Sequence, residues 1–588
     1  MEEFVNIEID GIKAQVKKDS TILEAAREVG IDIPTLCFLK DIHETGDCRM
    51  CIVEVEGARG FVTSCITKVS EGMVIHTNTE AIMETRKTIL DLTISNHKVE
   101  CLTCVRDGNC ELQNLSKKYH IKEVEFAGER TEKELDELSP SIVRDPNKCV
   151  LCRRCVATCQ KVQGIGAIEC MNRGFASEIG TVGNKSLNDV NCTFCGQCIQ
   201  ACPTGALREK DTTDEVWEKL KDPETFVVVQ TAPAVRAALG EEFGMPIGTN
   251  VTGKMVTALR RMGFDKVFDT NTGADFTIME EANEFIERLQ NGGVLPMITS
   301  CSPGWVKFME MNYPENIPHV SSCKSPHEMF GAIIKSYYAE KEGIDPNKIY
   351  VVSVMPCIAK KFERQRDEMK NNELDNVDNV ITTRELGRMI KQANIAFTEL
   401  EDSGFDSPMG EATGAGAIFG VTGGVMEAAL RTAQDTLTGE SLENINFEAV
   451  RGFDGIKRAT VNIAGKEIKA VVASGLKNAR MIMDEIKEGK ADYQFVEIMA
   501  CPGGCIMGGG QPIRTSKERA TIDIRGKRAG CLYSIDEAST FRKSHENPVV
   551  QAIYNEYLER PGSHRAHELL HTSYNAKPLY NFKEEDMV

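Results

Sequence analysis

The stretch MITSCSPGW, residues 297–305, joins a short apolar run to a single cysteine, Cys301. Two later apolar runs, VVSVMP and VEIMA, also end at a cysteine, Cys357 and Cys501 respectively. Helical patterns separate the apolar runs from residue 222 onward, which predicts an α/β body with a largely parallel sheet. Because functional residues gather at the carboxyl ends of parallel strands, we expect these cysteines and Cys505 to converge on one buried cluster.

The composition indicates an acidic, cysteine-rich protein of several domains. The chain has 588 residues, 22 cysteines and a formal net charge of -19, which disfavours nucleic acid and anionic membranes as main partners. Its first residues, MEEFVNIEIDG, resemble no targeting segment, and no apolar run of about 18 residues occurs, so we expect a cytoplasmic protein. In a reducing compartment, closely spaced cysteines indicate metal ligation rather than disulfides.

Two groups of four ligands lie in the first 110 residues. The first has the spacing C-x10-C-x2-C-x13-C and consists of Cys37, Cys48, Cys51 and Cys65. It predicts a 2Fe-2S cluster of plant-ferredoxin type, with a structural zinc site as the alternative. The second has the spacing H-x3-C-x2-C-x5-C and consists of His97, Cys101, Cys104 and Cys110. It fits zinc or a 4Fe-4S cluster with one imidazole ligand, and the iron-sulfur spacing elsewhere in the chain favours the cluster.

Two further groups repeat the spacing C-x2-C-x2-C-x3-C of two-cluster ferredoxins. In such proteins the fourth cysteine of each group binds the other cluster. The ligands predicted for one 4Fe-4S cubane are therefore Cys149, Cys152, Cys155 and Cys202. Those predicted for the other are Cys192, Cys195, Cys198 and Cys159. Two isolated cysteines, Cys170 and Cys531, fit packed side chains better than ligands.

Three motifs in the second body resemble those of iron-only (FeFe) hydrogenases. They are MITSCSPGW, VVSVMPCIAKKFE at residues 351–363 and EIMACPGGCIMGGGQP at residues 497–512. The N-terminal half is similar to the ferredoxin-like extensions of larger members and to the cluster-bearing subunit of respiratory complex I. The resemblance implies reversible conversion of protons and electrons to H2 at an H-cluster, a 4Fe-4S cubane bridged to a di-iron unit with carbon monoxide, cyanide and a dithiolate. It also implies Cys357, Cys501 and Cys505 as cubane ligands, with Cys505 bridging to the di-iron unit.

The same resemblance implies roles for residues around the cluster. Lys360 would pair with a cyanide ligand, and the pocket wall would contain Ala232, Pro233, Met355, Met499 and Phe419. A proton relay would consist of Cys301, Glu281, Ser321 and Glu284. A cysteine can exchange protons near operating pH, whereas a serine cannot. From the residues alone, the favoured interpretation of the two glutamates is the solvated face of the amphipathic helix IMEEANEFIERL.

The sequence departs from the family at the fourth cubane ligand. The usual loop has two cysteines, a relay and a ligand, and Ser302 stands here at the ligand position. Cys323, in SSCKSP, stands where a small residue such as alanine is expected. Three alternatives follow: Cys323 is the fourth ligand, Ser302 ligates through oxygen, or Cys301 ligates and the relay is changed. Thiolates are the normal donors to iron-sulfur iron, so Cys323 is the first choice.

The predicted fold class is multidomain α+β and α/β, with ferredoxin-like iron-sulfur domains followed by a large α/β hydrogenase domain with parallel sheets. The predicted domains are a 2Fe-2S plant-ferredoxin-like domain (1–78), a His/Cys3 4Fe-4S domain (79–120), a two-4Fe-4S bacterial-ferredoxin-like domain (139–215), the H-cluster catalytic domain (222–520) and a C-terminal helical segment like a hydrogenase small subunit (521–588). The charged stretch 121–140 fits a helical or loose connector. HELLH, residues 567–571, matches a zinc-protease motif without a clear third ligand, so we expect a helix with hydrogen-bonded histidines.

The resemblance implies a cytoplasmic, anaerobic enzyme with one 2Fe-2S cluster, three 4Fe-4S clusters and an H-cluster. It favours the catalytic subunit of a multimeric, electron-bifurcating hydrogenase coupled to NADH and ferredoxin. Its expected partners are H2, protons, ferredoxin, and subunits with flavin, NAD and 2Fe-2S sites, with no nucleic acid or membrane. The alternatives are a stand-alone ferredoxin-dependent hydrogenase, or an H2 sensor or other non-catalytic electron-transfer protein.

Overall fold

The apolar runs beyond residue 222 form two four-stranded sheets. The computed structural model describes residues 3–126, 128–439, 445–463 and 465–581. The first sheet is parallel throughout, in the order Lys266–Asp269, Phe226–Thr231, Ile349–Met355 and Asn379–Thr382. The second, in which the last pair is antiparallel, has the order Met297–Ile298, Phe495–Met499, Lys466–Ser474 and Ile456–Ile463. The predicted α/β body with parallel sheets is confirmed.

Helices separate most of these strands along the chain, and the central strands are buried. The α-helices that follow residue 222 are Thr252–Met262, Thr270–Asn291, Pro303–Asn312, Pro326–Ile333, Ala339–Glu342, Lys360–Glu363, Thr383–Gln392, Gly414–Ile418, Gly424–Thr438, Leu476–Lys487, Ser516–Thr521, Ile524–Ala538, Pro548–Ile553 and His564–Leu570. Strand Phe226–Thr231 shows the effect, since Val227, Val228 and Val229 are at most 1% exposed. Continuous β-branched runs of this kind suit strands that are buried on both faces.

The N-terminal half consists of smaller units rich in cysteine. A five-stranded sheet has the order Ile12–Lys17, Phe4–Ile9, Val74–His76, Ile52–Val55 and Val62–Thr63, and helix Ile22–Glu28 belongs to this unit. Next come helices Glu80–Ser95 and Glu111–Lys118. The ferredoxin-like unit has two pairs of strands: Ile142–Arg144 pairs with Leu207–Glu209, and Glu169–Met171 pairs with Glu178–Gly180. Its helices are Arg154–Ala157, Gln197–Ala201 and Thr213–Lys221. None of the described residues between 121 and 140 is helical, so the connector is a loose segment and the helical alternative is wrong.

Helix Thr270–Asn291 positions the acidic residues of the second body. The Asp269 side chain caps its first turn by accepting a hydrogen bond from the Asn271 amide at 3.0 Å. The helix packs closely against helix Pro326–Ile333, because Gly273 has no side chain at the contact. A Cβ atom at Gly273 would lie 2.4 Å from the backbone oxygen of Pro326, so only glycine permits this approach.

We expect Gly273→Ala to lower the thermal midpoint of the second body. The added methyl overlaps backbone atoms, and overpacking of this kind costs about 1–3 kcal/mol. Gly530→Ala is the matched control, since a Cβ there meets nothing within 4 Å and the residue lies inside helix Ile524–Ala538. That change should stabilise by about 0.5–1 kcal/mol. Near-UV circular dichroism melts under anoxic conditions measure both, and an unchanged midpoint for Gly273→Ala would contradict the close contact.

Candidate active site and electron-transfer centres

The three cysteines that follow apolar strands converge on one cavity, but they come from two sheets. Cys357 follows a strand of the first sheet, whereas Cys301 and Cys501 follow strands of the second. The carboxyl ends of both sets of strands therefore face a shared space. The expected convergence at the carboxyl ends of parallel strands therefore takes place between two sheets, in a space that we call the active-site cavity.

Thiols and apolar side chains line the active-site cavity. The thiols belong to Cys195, Cys301, Cys357, Cys501 and Cys505. The lining also includes all five wall residues implied by the resemblance, Ala232, Pro233, Met355, Met499 and Phe419. Burial raises the pKa of Cys505 to about 12, so a thiolate there needs a nearby cation. Cluster iron provides such a charge, and on this donor chemistry the residues fit an H-cluster.

Lys360 borders the cavity with its ammonium group paired on the protein side. Its Nζ lies 2.6 Å from Glu363 Oε2 and donates a hydrogen bond to the Cys301 carbonyl oxygen at 3.2 Å. Burial would lower the pKa of Lys360, but the Glu363 carboxylate raises it above the ordinary value. Glu363 also contacts His327 at 2.7 Å. The sequence analysis missed Glu363 and His327, although the spacing of three residues between Lys360 and Glu363 was an available signal.

Cys323 does not border the active-site cavity. Its side chain is fully buried, and its Sγ lies 3.9 Å from Glu284 Oε2. A β-bridge to His571 fixes the backbone, and the Cys323 carbonyl oxygen accepts a hydrogen bond from Ser300 Oγ at 2.6 Å. This backbone arrangement directs the sulfur toward Glu284, so the expectation that Cys323 is the fourth cubane ligand is corrected. Ser302 does border the cavity.

The four relay residues implied by the resemblance lie next to one another. The Glu281 side chain is fully buried, and burial followed by repulsion from Glu284 raises its pKa to about 8. Glu281 also interacts electrostatically with Cys301. Ser321 Oγ donates a hydrogen bond to Glu284 Oε2 at 2.8 Å, and Glu284 pairs with Arg288 at 2.6 Å. The relay set thus extends from the cavity to the partly exposed Glu284, and the solvated-face alternative is wrong for Glu281.

The cysteines of the ferredoxin-like unit surround two separate cavities. One is bordered by Cys149, Cys152, Cys155 and Cys202. The other is bordered by Cys159, Cys192, Cys195 and Cys198. In each case the fourth cysteine comes from the other sequence group, which is the exchange expected for two-cluster ferredoxins. Four thiols around each enclosed space are a donor set that fits a cubane.

Each of the two earlier ligand groups shows a feature that fits metal binding. Cys51 Sγ lies 3.3 Å from Cys65 Sγ, and the Cys48 amide donates to Cys37 Sγ at 3.4 Å. In the second group, burial lowers the pKa of His97, so the imidazole is neutral. Its Nδ1 is buried, and within the described part of the chain it has no hydrogen-bond partner. A neutral imidazole with an unpartnered nitrogen fits a metal ligand.

One cluster cysteine connects the ferredoxin-like unit to the active site. Cys195 borders both the second ferredoxin-like cavity and the active-site cavity. The two bodies approach closely there, since a Cβ atom at Gly196 would lie 3.1 Å from the Cα atom of Gly509. The sequence patterns could not predict this contact, because it depends on how separate domains pack against each other.

The fold and this site define an iron-only hydrogenase, and the chain belongs to that family. The profile of the iron-only hydrogenase large subunit, C-terminal domain, matches residues 225–509, and that of the iron hydrogenase small subunit matches residues 522–577. Profiles of a 2Fe-2S cluster binding domain, an NADH-ubiquinone oxidoreductase-G iron-sulfur region and an NADH-quinone oxidoreductase subunit 3 ferredoxin-like domain match residues 2–80, 86–125 and 139–208. The protein is therefore an oxidoreductase that interconverts H2 with protons and electrons, and it carries 2Fe-2S and 4Fe-4S clusters and an H-cluster.

Two sequence relatives and one solved structure illustrate the similarity. The NADP-reducing hydrogenase subunit HndD of Solidesulfovibrio fructosivorans is 48% identical, covering 97% of this chain and 99% of the relative. Iron hydrogenase 1 of Clostridium pasteurianum is 46% identical, covering 96% and 99%. A structure of the FeFe-hydrogenase HydA1 from Chlamydomonas reinhardtii has a TM-score of 0.56 and 42% identity, covering 62% of this chain and 99% of that one. Among the described helices, none combines the length and apolar character needed to cross a membrane.

Because Cys323 lies outside the active-site cavity, we expect Cys323→Ala to retain the H-cluster. Its iron content and its infrared bands from bound carbon monoxide and cyanide should equal those of the unmodified protein after anoxic maturation. Cys357→Ala, which removes a thiol that borders the cavity, should lose those bands. Loss of the bands in a folded Cys323→Ala protein would restore Cys323 as a ligand.

Proposed function

We propose that the chain is the H2-converting subunit of a multimeric, electron-bifurcating hydrogenase that exchanges electrons with ferredoxin and NAD(P)H through partner subunits. The observation that carries this is Cys195, which gives the electron-transfer unit direct access to the active-site cavity. The subunit name of the HndD relative supports coupling to a pyridine nucleotide. The cluster domains are elaborate, and the sequence has no strict dinucleotide fingerprint of its own. A cytoplasmic location fits this role.

The proposed division of the chain places boundaries at residues 1–78, 79–120, 139–215, 222–520 and 521–588. The profile matches, which begin or end close to most of these positions, support it. The proposed cofactors are one 2Fe-2S cluster, three 4Fe-4S clusters and the H-cluster. His97 is the proposed imidazole ligand in its group, on the strength of its unpartnered Nδ1.

The proposed electron route has two branches that meet before the active site. The His97 group adjoins the first ferredoxin-like cavity, because Arg106 donates to the Cys202 carbonyl oxygen at 3.1 Å. The 2Fe-2S group adjoins the same cavity through Arg154, whose charge interacts with both Cys37 and Cys152. From there the second ferredoxin-like cavity leads to the active site. Two entry points and one exit suit an enzyme that accepts electrons from two donors.

We propose Ser302 as the fourth donor to the cubane and retain Cys301 in the relay. Ser302 Oγ accepts a hydrogen bond from the Ala500 amide at 3.2 Å, beside Cys501, and such a bond stabilises negative charge on oxygen. Cys301 interacts instead with Glu281 and Lys360. An oxygen donor is rare on iron-sulfur iron. The side chains of Ser302 and Cys301 nevertheless have different surroundings, and this difference supports a different role for each.

The proposed proton route uses Cys301, Glu281, Ser321 and Glu284. The H-cluster supplies the redox chemistry and the site at which H2 forms or splits. Glu281 is suited to carry a proton because its pKa of about 8 leaves it mostly neutral at pH 7 yet able to ionise. Ser321 bridges the interior carboxyl to Glu284, and Arg288 holds Glu284 at the partly exposed end.

We expect Glu281→Gln to slow both H2 evolution and H2 oxidation by about 100- to 10,000-fold, which is the usual contribution of a positioned acid or base. Glutamine keeps the shape but cannot transfer a proton, so the infrared bands of the H-cluster should remain. Glu287→Gln is the matched control, because Glu287 lies on the same helix and is exposed. Equal rates in the two variants would exclude Glu281 from the proton route.

The isolated chain should convert H2 with a viologen dye but should not reduce NAD+. Addition of the flavoprotein and 2Fe-2S partners should allow H2 formation that requires NADH and reduced ferredoxin together. Gas chromatography of H2 in reactions with one or both donors measures this requirement. Full activity of the chain alone with ferredoxin would identify a stand-alone hydrogenase instead, and no turnover with any donor would identify a sensor or electron carrier.

A further inference from the structure

A second group of metal-binding side chains lies beside the proton route. The donor atoms of Cys323, Glu284 and His571 lie within 4.8 Å of one another. They come from three separate segments: helix Thr270–Asn291, the segment before helix Pro326–Ile333, and the end of helix His564–Leu570. Apart from Glu284, the proposed function uses none of them. Only packing of the C-terminal helices on the catalytic body brings them together.

We propose that Cys323, Glu284 and His571 form a binding site for a divalent, borderline-soft metal ion of the zinc class, and that an ion bound there closes the proton route. One thiolate, one imidazole and one carboxylate are the donors that Zn²⁺ prefers in proteins. Calcium and magnesium prefer oxygen ligands, so the thiol selects against them. The Cys323 sulfur, which the sequence analysis expected to bind the cubane, binds this ion instead.

The second coordination layer of the site is already built. His571 Nε2 lies 3.0 Å from Glu280 Oε2, and that oxygen also accepts a hydrogen bond from the Gly562 amide at 2.9 Å. The other Glu280 oxygen accepts a hydrogen bond from the Tyr554 hydroxyl. Zinc-binding histidines usually donate their second nitrogen to a carboxylate that is itself held in this way. Glu280 therefore orients the ring so that Nδ1 is the nitrogen available to a metal.

The present contacts can rearrange to hold an ion. His571 Nδ1 lies 2.8 Å from Ser322 Oγ, and that hydroxyl would give way to the metal. Tetrahedral zinc places its sulfur and nitrogen donors about 3.6 Å apart, so donors now within 4.8 Å need to approach by about 1 Å. The Glu284 side chain is 15% exposed, which gives an ion access from solvent, whereas the His571 side chain is only 6% exposed.

The local charge favours a cation. Carboxylates of Glu280, Glu281 and Glu284 all act on the Cys323 sulfur, and burial followed by these carboxylates raises the pKa of the thiol. Among the described residues, the cationic side chain paired with the cluster is Arg288, which contacts Glu284, and the His567 ring packs against His571 with 4.1 Å between the ring centroids. Binding of M²⁺ forms the metal-sulfur bond and releases the thiol proton to solvent, so the ion replaces a proton among several acidic groups.

The effect on turnover depends on the proposed proton route. Glu284 is the outer residue of that route, and a metal-bound carboxylate cannot accept and release protons as a free one does. Ser321, which donates to the same carboxylate, would lose its acceptor as well. Electron transfer through the iron-sulfur clusters reaches the active-site cavity at Cys195, which is not a member of the proposed proton route, and it remains intact.

The test titrates Zn²⁺ into the matured, chelator-washed full chain and compares it with Cys323→Ser. Elemental analysis should find one additional zinc per chain, and zinc K-edge spectroscopy should find one sulfur neighbour at about 2.3 Å. The additional zinc and its sulfur neighbour should be lost in Cys323→Ser. They should be kept in Cys531→Ala, the control, which removes a buried cysteine from a different apolar cluster. Glu280→Gln should weaken zinc affinity by about 10- to 100-fold as a positioning change. Equal zinc binding by Cys323→Ser, or several sulfur neighbours, overturns the site.

A second measurement, of H2 turnover, tests whether zinc bound at the site closes the proton route. Zinc at one equivalent should slow H2 evolution and oxidation in the unmodified protein and in Cys531→Ala, but not in Cys323→Ser. Reduction of the iron-sulfur clusters by dithionite should proceed at the same rate with and without zinc. If zinc binds through one sulfur and turnover is unchanged, the closure of the route is overturned. Because the spectroscopic measurement does not involve H2, failure of the site and failure of the proposed function give different results.

Discussion

The constraint on which this structure depends is that a buried thiolate is unstable without a cation beside it. Burial raises the pKa values of Cys357, Cys501 and Cys505, and it does the same for Cys149, Cys152 and Cys195 in the ferredoxin-like unit. The protein therefore buries sets of thiols that need bound metal cations to be stable as thiolates. Cluster insertion and correct packing are thus coupled: the domains meet around these sulfur atoms, and the two sheets of the catalytic body present their strand ends to the largest set.

Several buried charged groups of the catalytic body likewise have an opposite charge or a hydrogen-bond network beside them. Lys360 is paired with Glu363, which in turn contacts Ser325 and His327. The Glu497 carboxylate accepts hydrogen bonds from the Gly423 and Met426 amides at 2.6 and 2.8 Å. Glu281 is less completely satisfied, because one of its oxygens is buried without a hydrogen-bond partner among the described residues, as is one oxygen of Glu328. An incompletely satisfied carboxyl group is costly as a structural element but suitable as a proton carrier.

The sequence was most informative where chemistry fixes the spacing of ligands. The exchange of Cys159 and Cys202 between clusters follows from the motif, and the structure brings the corresponding sulfur atoms together. Strand ends predicted that Cys301, Cys357 and Cys501 would meet, although their division between two sheets required the tertiary structure. Cys323 shows why the positions of other site residues could not be predicted from the sequence. Its side-chain direction is set by a bridge to His571, far along the chain, and no local pattern encodes that contact.

The shared position of Cys195 has a consequence for how such proteins evolve. The ferredoxin-like unit supplies part of the active-site wall, and close backbone contact at Gly196 and Gly509 joins the two bodies there. It is therefore not an interchangeable module attached to a complete enzyme. A lineage that loses this unit must rebuild the exposed wall in the same step, whereas a lineage that changes the outer cluster domains is free of that requirement. Modularity in this architecture decreases with proximity to the catalytic iron.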